Sequence, residues 1–220
     1  MSKNKLSLAV FVVMFFALVF FGWRQSGYSE TEETTEAAAS TVVNGLDTAK
    51  LTGLIDYLKE NPDKGRVTFY SKARWQDGMR SFTSFSGYRV DGKMMHEFVL
   101  LGDEAPELGG TDAAPGAMEE LMYALSTCVI AASNVNAALM GVKLTRIDVN
   151  IESDLDMHGL LALDPKVRPG AAAMRMDITI AGDADEEALK KIAMLGYEYS
   201  PVSETTRNGI KFIPNITVAK

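Results

Sequence analysis

The segment from Met118 to about Gly141 most constrains what this chain can fold into. Leu121, Leu125, Cys128, Ala132, Val135 and Leu139 recur there at helical spacing and form one apolar stripe. Glu119 and Glu120 open the segment, where carboxylates suit the positive end of a helix. A helix this long with one apolar face must bury that face against other layers, so the strands on either side are read as packing upon it.

Before the long helix, Asp47 is placed to cap a first helix whose Leu51, Leu54, Ile55 and Leu58 again show helical spacing, and Asn61-Pro62 ends it. Val67, Phe69 and Ser71 then alternate with Thr68, Tyr70 and Lys72, which predicts a strand. Gln76-Asp77-Gly78 is a turn signal, Met79 to Val90 the returning strand, Asp91-Gly92 a second tight turn and HEFVLLGD a third strand. Together they predict an antiparallel meander. A loop rich in Gly, Pro and acid, residues 103–116, leads into the long helix. After it, Ile147, Val149 and Ile151 alternate with Asp148, Asn150 and Glu152; Leu163 to Gly170 is a loop; Met174, Met176, Ile178 and Ile180 mark another strand. Asp185 to Glu187 opens a last helix, and IKFIPNITV is expected to close the chain with a strand or two. The expected fold class is α+β.

The N-terminus is of a different kind. Leu6 to Trp23 carries no charge and no proline, at the lower edge of what spans a hydrocarbon core. Lys3 and Lys5 precede the run and Trp23 ends it like an interface anchor, so the N-terminus is expected in the cytoplasm and the rest in the periplasm or outside the cell. Residues 1–24 are read as an uncleaved transmembrane anchor in the inner membrane. A cleaved signal sequence is the competing reading, for which FFGWRQSGYS is a poor cleavage site. Residues 25–43 read as a disordered acidic, Thr- and Ala-rich linker, and residues 44–220 as the domain.

A net charge of −7 and a pI near 5.0 argue against a nucleic-acid partner, which needs a basic field. One cysteine excludes an intramolecular disulfide, and the two histidines, His96 and His158, lack metal-ligand spacing, so neither metal nor cofactor is expected. His158 follows Asp154 and Asp156 and reads as a polar loop residue. Ser200 lacks a GxSxG setting and a neighbouring base, and reads as a helix-ending serine before Pro201.

Cys128 is the remaining nucleophile. Its periodicity makes it a core residue, and free cysteines in cores are usually inert. It lies nearly three turns into its helix, beyond the reach of the helix dipole, so a reactive thiolate there needs a cation brought by tertiary structure.

Several motifs taken together resemble the OsmC/Ohr family of thiol-dependent hydroperoxide reductases. The family pattern E-x-L-x-x-A-L-x-x-C reads EELMYALSTC here, and a later C-P-V-S-like segment reads Ser200-Pro201-Val202-Ser203. LGGTDAAPGAMEELMYAL and ESDLDMHGLLALDPKVRPG resemble one OsmC-like subgroup more closely, and the resemblance runs from about Asn44 to Lys220. It implies antiparallel sheets packed on a long central helix, in an intertwined homodimer with two sites at its interface. It also implies that Cys128 is the peroxidatic thiol. Arg80, with Arg74 as second choice, would stabilise the thiolate, and Glu119 would orient that arginine.

Two departures from the family pattern bear on this. Ser200 stands where the resolving cysteine belongs, so no disulfide cycle can close within the chain. The usual position of the acid is Met118; Glu119, nine residues before Cys128, is about half a turn out of phase with it, whereas Glu120 is about 80° away. The resemblance therefore implies a one-cysteine organic hydroperoxide reductase of oxidative stress defence. Its partners would be a hydroperoxide and an external thiol reductant, with Met122, Tyr123 and Phe82 lining an apolar pocket. The alternative is a non-catalytic, membrane-tethered dimer that binds a small apolar ligand or a protein partner.

Overall fold

The first ordered turn follows from two residues that tolerate left-handed backbone. In a computed structural model, which describes residues 41–87 and 97–219, Asn44 and Gly45 take φ of 51° and 80° and fold Val42–Val43 (β1) back on Leu46–Asp47 (β2). Asn44 also ties this hairpin to the rest of the fold. Its Nδ2 donates to the Val142 carbonyl at 2.9 Å and its Oδ1 accepts from Leu144 N–H at 2.9 Å. The transmembrane and linker expectations for residues 1–40, the Asp91-Gly92 turn and His96 lie outside the described residues.

Asp47 caps the first helix as expected: its Oδ1 accepts from Lys50 N–H at 3.2 Å, and α1 spans Thr48–Glu60. Asn61 ends it, its side chain donating back to the Tyr57 carbonyl before Pro62 starts a short 3-10 turn. The meander follows as Tyr70–Asp77 (β3), Arg80–Ser86 (β4) and Phe98–Gly102 (β5), antiparallel in the order β3-β4-β5. Gly78, at φ 55°, supplies the turn that the Asp-Gly pair predicts.

The loop to the long helix is organised by Asp103, which is 2% exposed. Its Oδ2 accepts from the Thr111 hydroxyl and from Thr111 and Ala113 N–H, the last two at 3.0 and 3.2 Å. Those bonds, the Thr111 hydroxyl foremost, hold its carboxyl down at about 2. The long helix, α2, spans Ala117–Leu139 and is followed by Leu144–Ser153 (β6), a one-turn helix Met157–Leu160 (α3), Met174–Gly182 (β7) and Glu186–Tyr199 (α4). β6 and β7 form an antiparallel ribbon in which Val149 faces Ile178 and Ile151 faces Met176. The domain is α+β with antiparallel sheets, as its pattern predicts.

The core lies where α2, α4 and the β6–β7 ribbon meet. Its buried apolar residues are Leu125, Val129, Ala137 and Ala138 of α2 with Ile192 and Ala193 of α4. This stripe runs beside the one expected from the sequence. Cys128, Ala132 and Val135 are half-buried, and Leu139 is 42% exposed. The reason is how close α4 comes. Ser133 is fully buried against Gly196, where a Cβ would lie 1.8 Å from the Ser133 hydroxyl, so small residues turn that face inward.

The C-terminal expectation needs a second correction. Ser200 does end α4, but Pro201–Asn208 then forms a helix of its own, α5, started by a serine cap and a proline at the first helical position. Residues 209–219 have no regular structure, and Phe212, Ile213, Ile216 and Val218 are 80 to 86% exposed. A strand needs an edge to pair with, and this segment pairs with none among the described residues.

Candidate active site

Cys128 sits on the face of α2 beside the packed stripe, half-buried, at a cavity of about 320 Å³. Ala131, Ala132 and Val135 of the same helix make one wall, and Tyr199 and Pro201 make the other. These last two flank Ser200. The segment that resembles the resolving-cysteine motif is therefore brought to the Cys128 cavity, although some seventy residues separate them in the chain.

Ser200 itself is fully buried, and its Oγ accepts from Ser203 N–H at 3.1 Å. It caps α5, and this accounts for a small hydroxyl residue at that position without any chemistry.

Glu119 has a structural task. Its carboxylate accepts from Gly116 N–H at 2.8 Å, while the Glu104 carboxylate accepts from Ala117 N–H at 3.4 Å. Gly116 has no side chain to reciprocate, so the carboxylates satisfy two N–H groups at the start of α2 from one side. Glu119 and Glu120 also line a cavity of about 480 Å³ with Leu100, Leu101, Pro115 and Tyr123. Of the residues expected to form an apolar pocket, Tyr123 is there; Met122 and Phe82 are not among its lining residues. Nine residues of helical rise separate Glu119 from Cys128, roughly 13 Å.

Arg80 lies at the β3–β4 turn, and its Nη2 pairs with Asp77 at 3.1 Å, both side chains half-exposed or more. Arg74, the second candidate, lies on β3 opposite Phe82. Within one chain no hydrogen bond or ion pair among the described residues joins Arg80 or Arg74 to Cys128 or to Glu119. Among the described residues, no charged side chain lines the Cys128 cavity.

His158, expected in a polar loop, lies on the short α3. Its backbone N–H and Nδ1 both meet the Asp156 carboxylate, at 2.9 and 2.8 Å, and these bonds hold the Asp156 carboxyl below its usual range. Arg175 pairs with both Glu152 and Asp154, at 3.0 and 2.9 Å. No cluster of metal-ligating side chains occurs among the described residues. Asp103, which holds the loop ahead of α2, was not singled out by its sequence context, because its partners Thr111 and Ala113 are visible only once the loop is closed.

Residues 110–215 match the family described as OsmC-like protein. Solved structures that the chain resembles include an OsmC-like protein from Mycoplasma pneumoniae, 14% identical over 64% of this chain and 89% of that one, with a TM-score of 0.48. An organic hydroperoxide resistance protein OsmC from Legionella pneumophila is 20% identical over 64% of this chain and 89% of its own, with a TM-score of 0.46. An OsmC-like protein of unknown function from Vibrio cholerae is 15% identical over 63% and 92%, with a TM-score of 0.47. No protein of curated function matches the chain.

Proposed function

From the match of residues 110–215 to the OsmC-like family, we propose that this chain is a one-cysteine organic hydroperoxide reductase acting in oxidative stress defence. The observation that carries the reading is the position of Cys128. It is half-buried at an apolar cavity instead of being packed inside the core, and that cavity is shared with the segment around Ser200.

The Cys128 thiolate attacks one oxygen of the hydroperoxide. The S–O bond forms as the O–O bond breaks, and the alkoxide leaves and takes a proton to become the alcohol. Cys128 is left as a sulfenic acid. With no second cysteine in the chain, an external dithiol completes the cycle. Its first thiol displaces water from the sulfenic sulfur, and its second thiol releases Cys128 and leaves the reductant as a disulfide.

The thiolate needs a cation, and none of the described residues lining the cavity is one. In the proposal the active form is a homodimer in which a second copy brings Arg80 to the site and Glu119 steadies it. Support comes from what a single chain leaves uncovered. Trp75 and Phe98 on the meander are 75 and 66% exposed, and the apolar C-terminal segment has no partner strand among the described residues. Surfaces of this kind mark association. The apolar run Leu6–Trp23 would tether this dimer to the inner membrane with the domain on the periplasmic side.

The second reading is a non-catalytic, tethered dimer that binds a small apolar ligand or a protein. The Arg80–Asp77 pair favours it, because that pair already occupies the candidate cation.

The test is consumption of cumene hydroperoxide by the full chain with dithiothreitol as reductant, together with trapping of the sulfenic acid by dimedone. Turnover and trapping in the wild type, both lost in Cys128→Ser, are expected. Absence of turnover, or turnover unchanged in Cys128→Ser, rejects the enzyme reading; a thiol that dimedone never labels after peroxide favours the second.

A further inference from the structure

A different and larger cavity, about 670 Å³, opens between the N-terminal half of α2, the start of β7 and the last turns of α5. Leu121 and Leu125 of α2 and Met176 of β7 make its apolar wall. Among the described residues, two cations line it, Arg168 and Arg207, and no carboxylate does. In a chain of net charge −7 that is an unusual local balance.

Neither arginine is neutralised by an acid among the described residues. Arg168 also borders a neighbouring cleft that holds Asp154 and Asp156, but those carboxylates are engaged elsewhere, Asp154 with Arg175 at 2.9 Å and Asp156 with His158 at 2.8 Å. Arg207 lies over the Tyr197 ring, 4.5 Å from its centroid, and its Nη2 reaches only a neutral acceptor, the Glu198 carbonyl, at 3.4 Å. Stacking of this kind fixes the plane of a guanidinium and leaves its other donors free.

The third feature is Ser203. It is 1% exposed, lines the cavity, and its hydroxyl has no hydrogen-bond partner. A buried hydroxyl without a partner is costly, because its lost hydration is not replaced. Such a group is retained at least cost where a ligand satisfies it.

We propose that this cavity binds an amphipathic carboxylate, its head group held by Arg168, Arg207 and the Ser203 hydroxyl and its alkyl chain laid along Leu121, Leu125 and Met176. A planar guanidinium matches a carboxylate with two parallel N–H donors, and an apolar wall with a few convergent polar groups is the usual make-up of a small-molecule site. The site is separate from the Cys128 cavity and does not depend on the thiol chemistry.

The test is calorimetric titration of the full chain with octanoate, with octanol as the uncharged control. Octanoate is expected to bind at least tenfold more tightly than octanol. Arg168→Gln and Arg207→Gln are each expected to weaken octanoate about tenfold and to leave octanol unchanged, as loss of one charge-assisted bond predicts. Ser203→Ala is expected to weaken octanoate without lowering the melting temperature, since it removes an unsatisfied hydroxyl; a purely structural serine would show the reverse. Equal affinity for octanoate and octanol, an unchanged octanoate affinity in both arginine variants, or no octanoate binding at all overturns the proposal.

Discussion

Gly196→Ala probes the contact that decides which face of α2 is buried. The new Cβ would lie 1.8 Å from the Ser133 Oγ, 2.9 Å from its Cβ and 3.0 Å from its Cα, inside a pair of packed helices where Ser133 is fully buried. Overpacking of this kind costs about 1–3 kcal/mol. The upper part of that range applies, because a backbone atom and a side chain without room to turn are both involved. Alanine returns about 1 kcal/mol of helix propensity relative to glycine. The net loss is therefore about 2 kcal/mol, which in a protein of this size lowers the melting temperature by roughly 4–8 °C. The contact with Oγ is the worst of the three, so Ser133→Ala should relieve most of it, and alone it should cost little because that hydroxyl has no partner. The double variant should recover about 1–2 kcal/mol as coupling energy. Thermal and urea unfolding of all four proteins, followed by helical circular dichroism, measures this cycle. If Gly196→Ala is as stable as wild type, or loses the same amount with Ser133 and with Ala at position 133, the account of the α2–α4 contact is wrong.

Other sites give independent checks. Ser200→Ala removes a buried helix cap and should cost about 1–2 kcal/mol in urea unfolding; Ser200→Cys, set beside the Cys128 cavity, should give a peroxide-induced, thiol-reversible internal disulfide seen as a mobility shift. Asn44→Ala loses both bonds that tie the β1–β2 hairpin to Val142 and Leu144 and should cost about 2–3 kcal/mol, with the same assay deciding. Asp103, whose carboxyl is held down at about 2 in the folded chain against an ordinary 3.8, adds stability that is complete above the ordinary value and lost as pH falls towards 2. Acid unfolding over that window should flatten in Asp103→Asn, and an unchanged profile would assign the acid sensitivity to other carboxylates. Sedimentation of the full chain should show a dimer that Phe212→Asp and Ile213→Asp shift towards monomer.

Much of the local structure was legible because its cause is local. Asp47 and Asp185 cap helices with their own side chains, Asp77-Gly78 turns the meander, and alternation at Ile147, Val149 and Ile151 marks β6. The α5 helix carried readable signals too, a serine cap followed by proline, but the same residues also read as the end of α4.

The stripe of α2 that enters the core was not legible. Leucine, valine and cysteine outrank serine and alanine on any apolar pattern, yet Ser133, Ala137 and Ala138 are buried and Leu139 is not. Glycine at position 196 of another helix decides this, and helical periodicity carries no information about a partner helix.

The amino-acid order thus carried the first helix, the meander, the long helix, β6, β7, α4 and the single thiol, because dihedral preference, capping and alternation act over a few residues. What helix packing alone decided is that Cys128 shares a cavity with the segment around Ser200, and that Arg168 lines one cavity with Ser203 and Arg207. Those relations join residues far apart in the chain, and they arise from which helix faces pack closely enough to exclude water.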